Sequence, residues 1–154
     1  MTHIKPFKDQ DYNQLKKKHN ATNLFEDPLF PAIDSSIYYS KAVKNGIVWK
    51  RPKEINKNAQ FVIDGFSRLD LNQGAIGNCW FIAGCAGILQ HKQLFSKVIP
   101  EDQSFSKDYA GLFHFRFFVF GEWLDIVIDD RLPCNSDGRL VFARNKNQAE
   151  FWPV

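Results

Sequence analysis

The chain has 154 residues, the length of one ordinary domain, and its 44% hydrophobic and 24% charged residues exclude disorder for the bulk of it. Twenty Lys and Arg against 17 Asp and Glu leave a charge of +3, too small and too dispersed for a nucleic-acid footprint. No apolar run approaches the roughly 18–20 residues of a membrane span, and Met1 to Gln10 lacks the apolar stretch of a signal peptide.

Residues 1–23 are polar and charged, with Lys16, Lys17 and Lys18 as a solvated basic cluster, and read as an arm that is either a short helix or loose. From Leu24 the texture changes. Apolar residues between Pro28 and Pro31 predict an irregular segment laid over a core, since the prolines forbid a long helix. Ser35–Ser40 and Ile47–Trp49 are short apolar pieces, and Lys50-Arg51-Pro52 ends the second. Residues 61–78 carry Gly65, Gly74 and Gly77 among polar residues and predict a structured loop. Cys79–Leu89 is apolar on every side and is followed by Gln90-His91-Lys92, which predicts a fully buried helix.

After an amphipathic segment near Leu94–Ile99 the period changes to two. Phe113, Phe115, Phe117 and Val119 share one face, and His114, Arg116 and Phe118 the other. A turn at Gly121-Glu122, a second strand over Trp123–Asp129, a turn at Asn135–Gly138 and a third strand over Arg139–Ala143 complete a small antiparallel sheet. The fold class is therefore α+β.

The chemistry concentrates in Gln73-Gly74-Ala75-Ile76-Gly77-Asn78-Cys79-Trp80. A cysteine in the first turn of a helix sees the positive end of the helix dipole, which favours the thiolate that acts as nucleophile. Gln73, folded back across two glycines, would join the Cys79 backbone N–H in an oxyanion hole. Glycine in this loop would let a substrate main chain approach without meeting a Cβ. Cys85, inside the helix, and Cys134, beside Pro133, read as structural thiols. Three cysteines at these spacings form neither a disulfide framework nor a set of zinc ligands, so the chain reads as intracellular, in the reducing cytoplasm.

The run QGAIGNCWFIA resembles the active-site segment of calpains, calcium-dependent intracellular cysteine proteases of the papain-like group. LFEDPLFPA, RLDLNQGAIGNCW, YAGLFHFRFFVFGEWLDIVIDDRLPC and AEFW are similar to calpain core segments in their usual order, covering Leu24 to Trp152. The resemblance implies a polar arm over 1–23 and, over 24–154, the first lobe of a papain-like catalytic domain. It implies Cys79 as nucleophile, Gln73 as oxyanion-hole donor and Trp80 as the packing neighbour. It also implies a calcium site made by the carbonyls of Ile63 and Gly65 and the side chains of Asp70 and Glu150, an oxygen set suited to a hard cation. Arg68 matches an arginine that pairs across to the second half of the core and helps calcium align the two. Asn78 stands where many calpains have Asp, a subfamily feature.

A cysteine protease needs a base for the thiol proton and a group that orients that base. In calpains the His and Asn come from the second half of the core, beyond Val154. Of the four histidines here, His3 and His19 lie in the arm, and His91 follows the far end of a helix about 16 Å long at 1.5 Å per residue. His114 belongs to a strand with no catalytic role in the family, though distance leaves it open. Pro153, after Trp152, would open a further helix, so the chain reads as incomplete and inactive alone. The leading expectation is the nucleophile-bearing lobe of a calcium-dependent endopeptidase acting on protein substrates, with a second protease lobe as partner. The alternatives are a non-catalytic isoform that binds calcium or a partner and regulates a full-length calpain, and a structural module in which Cys79 is merely buried.

Overall fold

The alternation Phe113-His114-Phe115-Arg116-Phe117 starts a hairpin over residues 112–129, and the computed structural model, which describes residues 4–38, 46–63, 71–72, 74 and 77–152, gives it two eight-residue strands. The chain folds as two units, residues 1–27 with 91–130 and residues 28–90 with 131–154.

In the first unit, β1 (Ile4–Pro6) precedes α1 (Tyr12–Lys18). The helix is capped by Asp11, whose carboxylate accepts the Gln14 backbone N–H at 2.8 Å, an arrangement worth about 1 kcal/mol. Lys16, Lys17 and Lys18 occupy its last turn, where the helix dipole favours cations. Of the two readings of the polar arm, the helix is the one that forms. The hairpin pairs Leu112 with Asp129 through to Val119 with Glu122, and its apex is the two-residue turn Phe120-Gly121. Tyr12, Phe25, Ala110, Leu112 and Val127 form the core, with Leu15 packed against it.

The third strand of this sheet is not the one the sequence suggests. β1 pairs in parallel with the hairpin's second strand, Ile4 opposite Trp123, while Arg139–Ala143 contributes only an isolated bridge from Leu140 to Cys134. A three-residue edge strand is too short to show a period.

In the second unit, β2 (Val48–Lys50) leads into α2 (Pro52–Ile55), which starts on a proline whose missing N–H costs a helix nothing at that position. The short strand β3 (Leu71–Asn72) precedes α3 (Cys79–Ile88). Further along the chain, α4 (Lys92–Val98), β4 (Leu112–Val119) and β5 (Glu122–Asp129) belong to the first unit, and β6 (Leu132–Cys134) and β7 (Arg144–Asn145) to the second. β2 pairs antiparallel with β6, and β3 antiparallel with β7. The expected turn at 135–138 forms, with the Gly138 N–H donating to the Asn135 carbonyl at 2.8 Å and Gly138 at φ +83°.

The expectation of a helix buried on every side is corrected. α3 forms at the predicted place, yet none of its ten residues is buried, and Trp80 is 74% exposed. Apolar composition states what a helix face prefers to contact, and the described residues place only modest cover on it, with β3 lying against α3. Residues 39–45 and 64–70, where the sequence suggested part of a structured loop, lie outside the described residues, as do Gln73, Ala75, Ile76 and Pro153.

Candidate active site

Asn78 caps α3 with its backbone: its carbonyl accepts the N–H groups of Phe81 at 2.9 Å and Ile82 at 3.1 Å. The first N–H groups of a helix, including that of Cys79, have no intrahelical partner and point out of its end. The Asn78 side chain makes no cap, and its Oδ1 is buried with no hydrogen-bond partner among the described residues. Cys79 therefore stands exposed at an electropositive helix end.

The other two thiols differ. Cys134 is fully buried, and burial pushes its thiol up against a smaller opposing pull from Lys50. Burial likewise pushes the Cys85 thiol up. Trp80, next to Cys79, meets Phe81 edge to face with ring centroids 5.8 Å apart and is otherwise turned outward.

The two glycines before Cys79 do different jobs. A Cβ on Gly74 would fall on the backbone of Phe142, so this glycine admits the protein's own chain, where the sequence suggested a substrate. A Cβ on Gly77 would meet nothing within 4 Å, which leaves that position open to approach from outside.

Of the four expected calcium ligands, the structure brings Ile63 and Glu150 together: Glu150 Oε1 accepts the Ile63 N–H at 2.9 Å. Oε2 accepts the side-chain amide of Asn145 at 2.7 Å. Glu150 is only 4% exposed and borders a cavity of about 590 Å³ together with Asn72, Arg144 and Phe151. Gly65 and Asp70 lie outside the described residues, as do Arg68 and Gln73. Among the described residues no three His, Cys, Asp or Glu side chains are grouped to hold a metal. The part played by Asn145 has no signal in the sequence, because its amide serves a residue five positions on through a turn.

His114, the histidine that distance left open as a base, is occupied. Its ring nitrogens face Asp125 Oδ1 at 2.8 Å and Asp102 Oδ1 at 2.9 Å, and it is 1% exposed. Neither nitrogen is available to a thiol.

Residues 25–154 match the family described as calpain family cysteine protease. Calpain-A of Drosophila melanogaster is 46% identical over 144 residues, covering 93% of this chain and 17% of that protein. The calpain-2 catalytic subunit of Mus musculus is 44% identical over 150 residues, covering 94% and 21%, and calpain clp-4 of Caenorhabditis elegans is 46% identical over 144, covering 94% and 20%. The chain thus spans about a fifth of the length of the curated relatives it matches. No helix among the described residues is long and apolar enough to cross a membrane. An exposed cysteine at the entrance of α3 and a family match over five-sixths of the chain lead to one conclusion: the chain belongs to the calpain family of cysteine proteases.

Proposed function

We propose that residues 24–154 are the nucleophile-bearing lobe of a papain-like, calcium-dependent endopeptidase that cuts cytoplasmic proteins at limited sites. The observation that carries this reading is the contrast among the thiols: Cys79 is exposed at the start of α3, whereas Cys85 is half-buried and Cys134 buried, and burial pushes both of their thiols up. Cys79 attacks the scissile carbonyl. Its backbone N–H and the Gln73 amide receive the developing oxyanion, each such donor being worth roughly 2.7–4 kcal/mol in a preorganised site. Trp80 packs beside the nucleophile, and the open side of Gly77 admits the substrate main chain.

The base and its orienting group come from a second lobe, since the ring of His114 is committed to two carboxylates. The exposed Trp80 and Phe81 suit such a partner. Calcium fits the residues present. Glu150 supplies a buried carboxylate, an oxygen donor suited to a hard cation, and the Ile63 carbonyl belongs to the residue whose N–H that carboxylate already holds. Ile63, Gly65, Asp70 and Glu150 would hold the ion, which would tie the loop leading to Cys79 to the segment around Glu150. Arg68 would carry that order to the second lobe.

Alkylation of Cys79 tests the reading. Modification of Cys79 no faster than that of the buried Cys134 or the half-buried Cys85 overturns it. The 154-residue chain alone is expected to leave peptide substrates intact; hydrolysis that disappears with Cys79→Ala would show that it supplies its own base.

A further inference from the structure

The ring of Tyr12, from α1, lies flat on the imidazole of His114, from β4, with centroids 3.7 Å apart and planes 11° from parallel. Beneath that stack the two ring nitrogens of His114 each face a carboxylate, Asp125 of β5 and Asp102 of the loop after α4. An ionised carboxylate only accepts hydrogen bonds, and a neutral imidazole has one N–H to give. The imidazolium has two and satisfies both, at distances usual for charge-assisted bonds.

Other polar groups pack around the ring. On β4 itself, Arg116 Nε lies 3.6 Å from Asp125 Oδ1. From α1, Lys16 Nζ donates to the Tyr12 hydroxyl at 2.9 Å and to the Asp102 carbonyl at 2.8 Å. The Gln103 side chain clamps the His114 main chain, accepting its N–H at 2.8 Å and donating to its carbonyl at 2.9 Å. Tyr12 itself stays neutral, its phenol pushed up by burial first and by Asp102 and Asp125 next.

We infer that His114 is a proton-operated latch: as the imidazolium it bridges Asp102 and Asp125 under Tyr12 and holds α1 to the sheet, and loss of one proton loosens α1. The sign follows from the donor count. Below the transition both carboxylates are matched. Above it, the ring has one N–H for two carboxylates, and one of the two bridging bonds is lost. β1, held by backbone pairing to β5 and by Lys5 with Glu122, stays in place, so release is confined to the segment around Tyr12–Lys18.

The test uses the 154-residue chain, with 15N in the histidine rings and amide exchange read on Leu15–Lys18 as protection relative to an unstructured peptide at each pH. Both His114 nitrogens should carry protons at the acid end. Protection of α1 should fall about ten-fold or more, the scale of a lost charged hydrogen bond, with the midpoint of ring deprotonation. Asp102→Asn, at a half-exposed position, removes one of the two anions facing the ring and should move that midpoint down. His114→Gln should abolish the pH dependence. A ring bearing one proton throughout, or α1 protection indifferent to pH while the ring titrates, overturns the latch, as does a midpoint that Asp102→Asn leaves unmoved.

Discussion

Glu150 accepts the backbone N–H of Ile63 at 2.9 Å across 87 positions of chain. The contact closes a short run in which the Gln60 N–H donates to the Ala149 carbonyl and the N–H groups of Phe151 and Trp152 donate to the carbonyls of Gln60 and Phe61. The carboxylate thus sits where the segment entering the Cys79 loop meets the segment that ends the second unit.

Removing that carboxylate leaves two buried donors, the Ile63 N–H and the Asn145 amide, without their acceptor. Each such loss costs about 1–3 kcal/mol, so Glu150→Ala should be roughly 2–4 kcal/mol less stable in urea unfolding. Glu150→Gln, which keeps one acceptor, should fall between. Calcium should raise the midpoint of the wild type and leave that of either variant unchanged, by binding linkage. A calcium effect that survives Glu150→Gln would remove Glu150 from the site.

Gly74→Ala isolates the other support of the loop. The new Cβ would occupy the space of the Phe142 Cα, carbonyl carbon and carbonyl oxygen, and backbone yields less readily than a side chain. Overpacking of this kind costs about 1–3 kcal/mol. Gly77→Ala meets nothing within 4 Å and should leave folding within about 0.5 kcal/mol of wild type. Equal losses at the two positions would contradict the division of labour between them.

What the sequence reveals here follows the range of the interactions. The β4–β5 hairpin is legible because alternation at Phe113, Phe115 and Phe117 is written locally, and α3 because eleven apolar residues end at Gln90-His91-Lys92. The exposure of α3 is not legible, since a helix's own residues do not say what covers them. Nor is β1, three residues whose parallel pairing to β5 joins the chain's start to its far half. In the site, Cys79 and its helix entrance can be read from spacing, whereas Asn145 acts through a fold-dependent contact. Gly74 shows a subtler failure: the need for glycine is visible, but its cause, the Phe142 backbone, is not.

The hairpin apex offers a stability prediction. Phe120 at φ +49° and Gly121 at φ +84° form a two-residue turn with both residues left-handed, the type I′ geometry that favours Asn before Gly. Phe120 is fully exposed and so gains nothing from burial in exchange for its strained backbone. Phe120→Asn should raise stability by about 0.5–1 kcal/mol, seen as a higher denaturant midpoint at unchanged slope. A lower midpoint would mean that the ring makes a stabilising contact in solution.

The three thiols should react in an order set by burial. Cys79 is exposed, Cys85 half-buried and Cys134 wholly buried, and burial holds the latter two thiols protonated to higher pH than usual. Because the thiolate is the reactive form, that burial slows the reaction of Cys85 and Cys134. Iodoacetamide near neutral pH should therefore add one equivalent at Cys79, mapped by peptide mass, at least about ten-fold faster than at either other cysteine. Cys79→Ser should remove the fast phase and leave the slow ones. Cys85 tests the argument most sharply, because it shares α3 with Cys79 and lies about 9 Å along it at 1.5 Å per residue. Equal rates at Cys79 and Cys85 would show that neither position at the helix entrance nor exposure singles out the proposed nucleophile, whereas a fast Cys79 beside a slow Cys85 assigns the difference to those two properties.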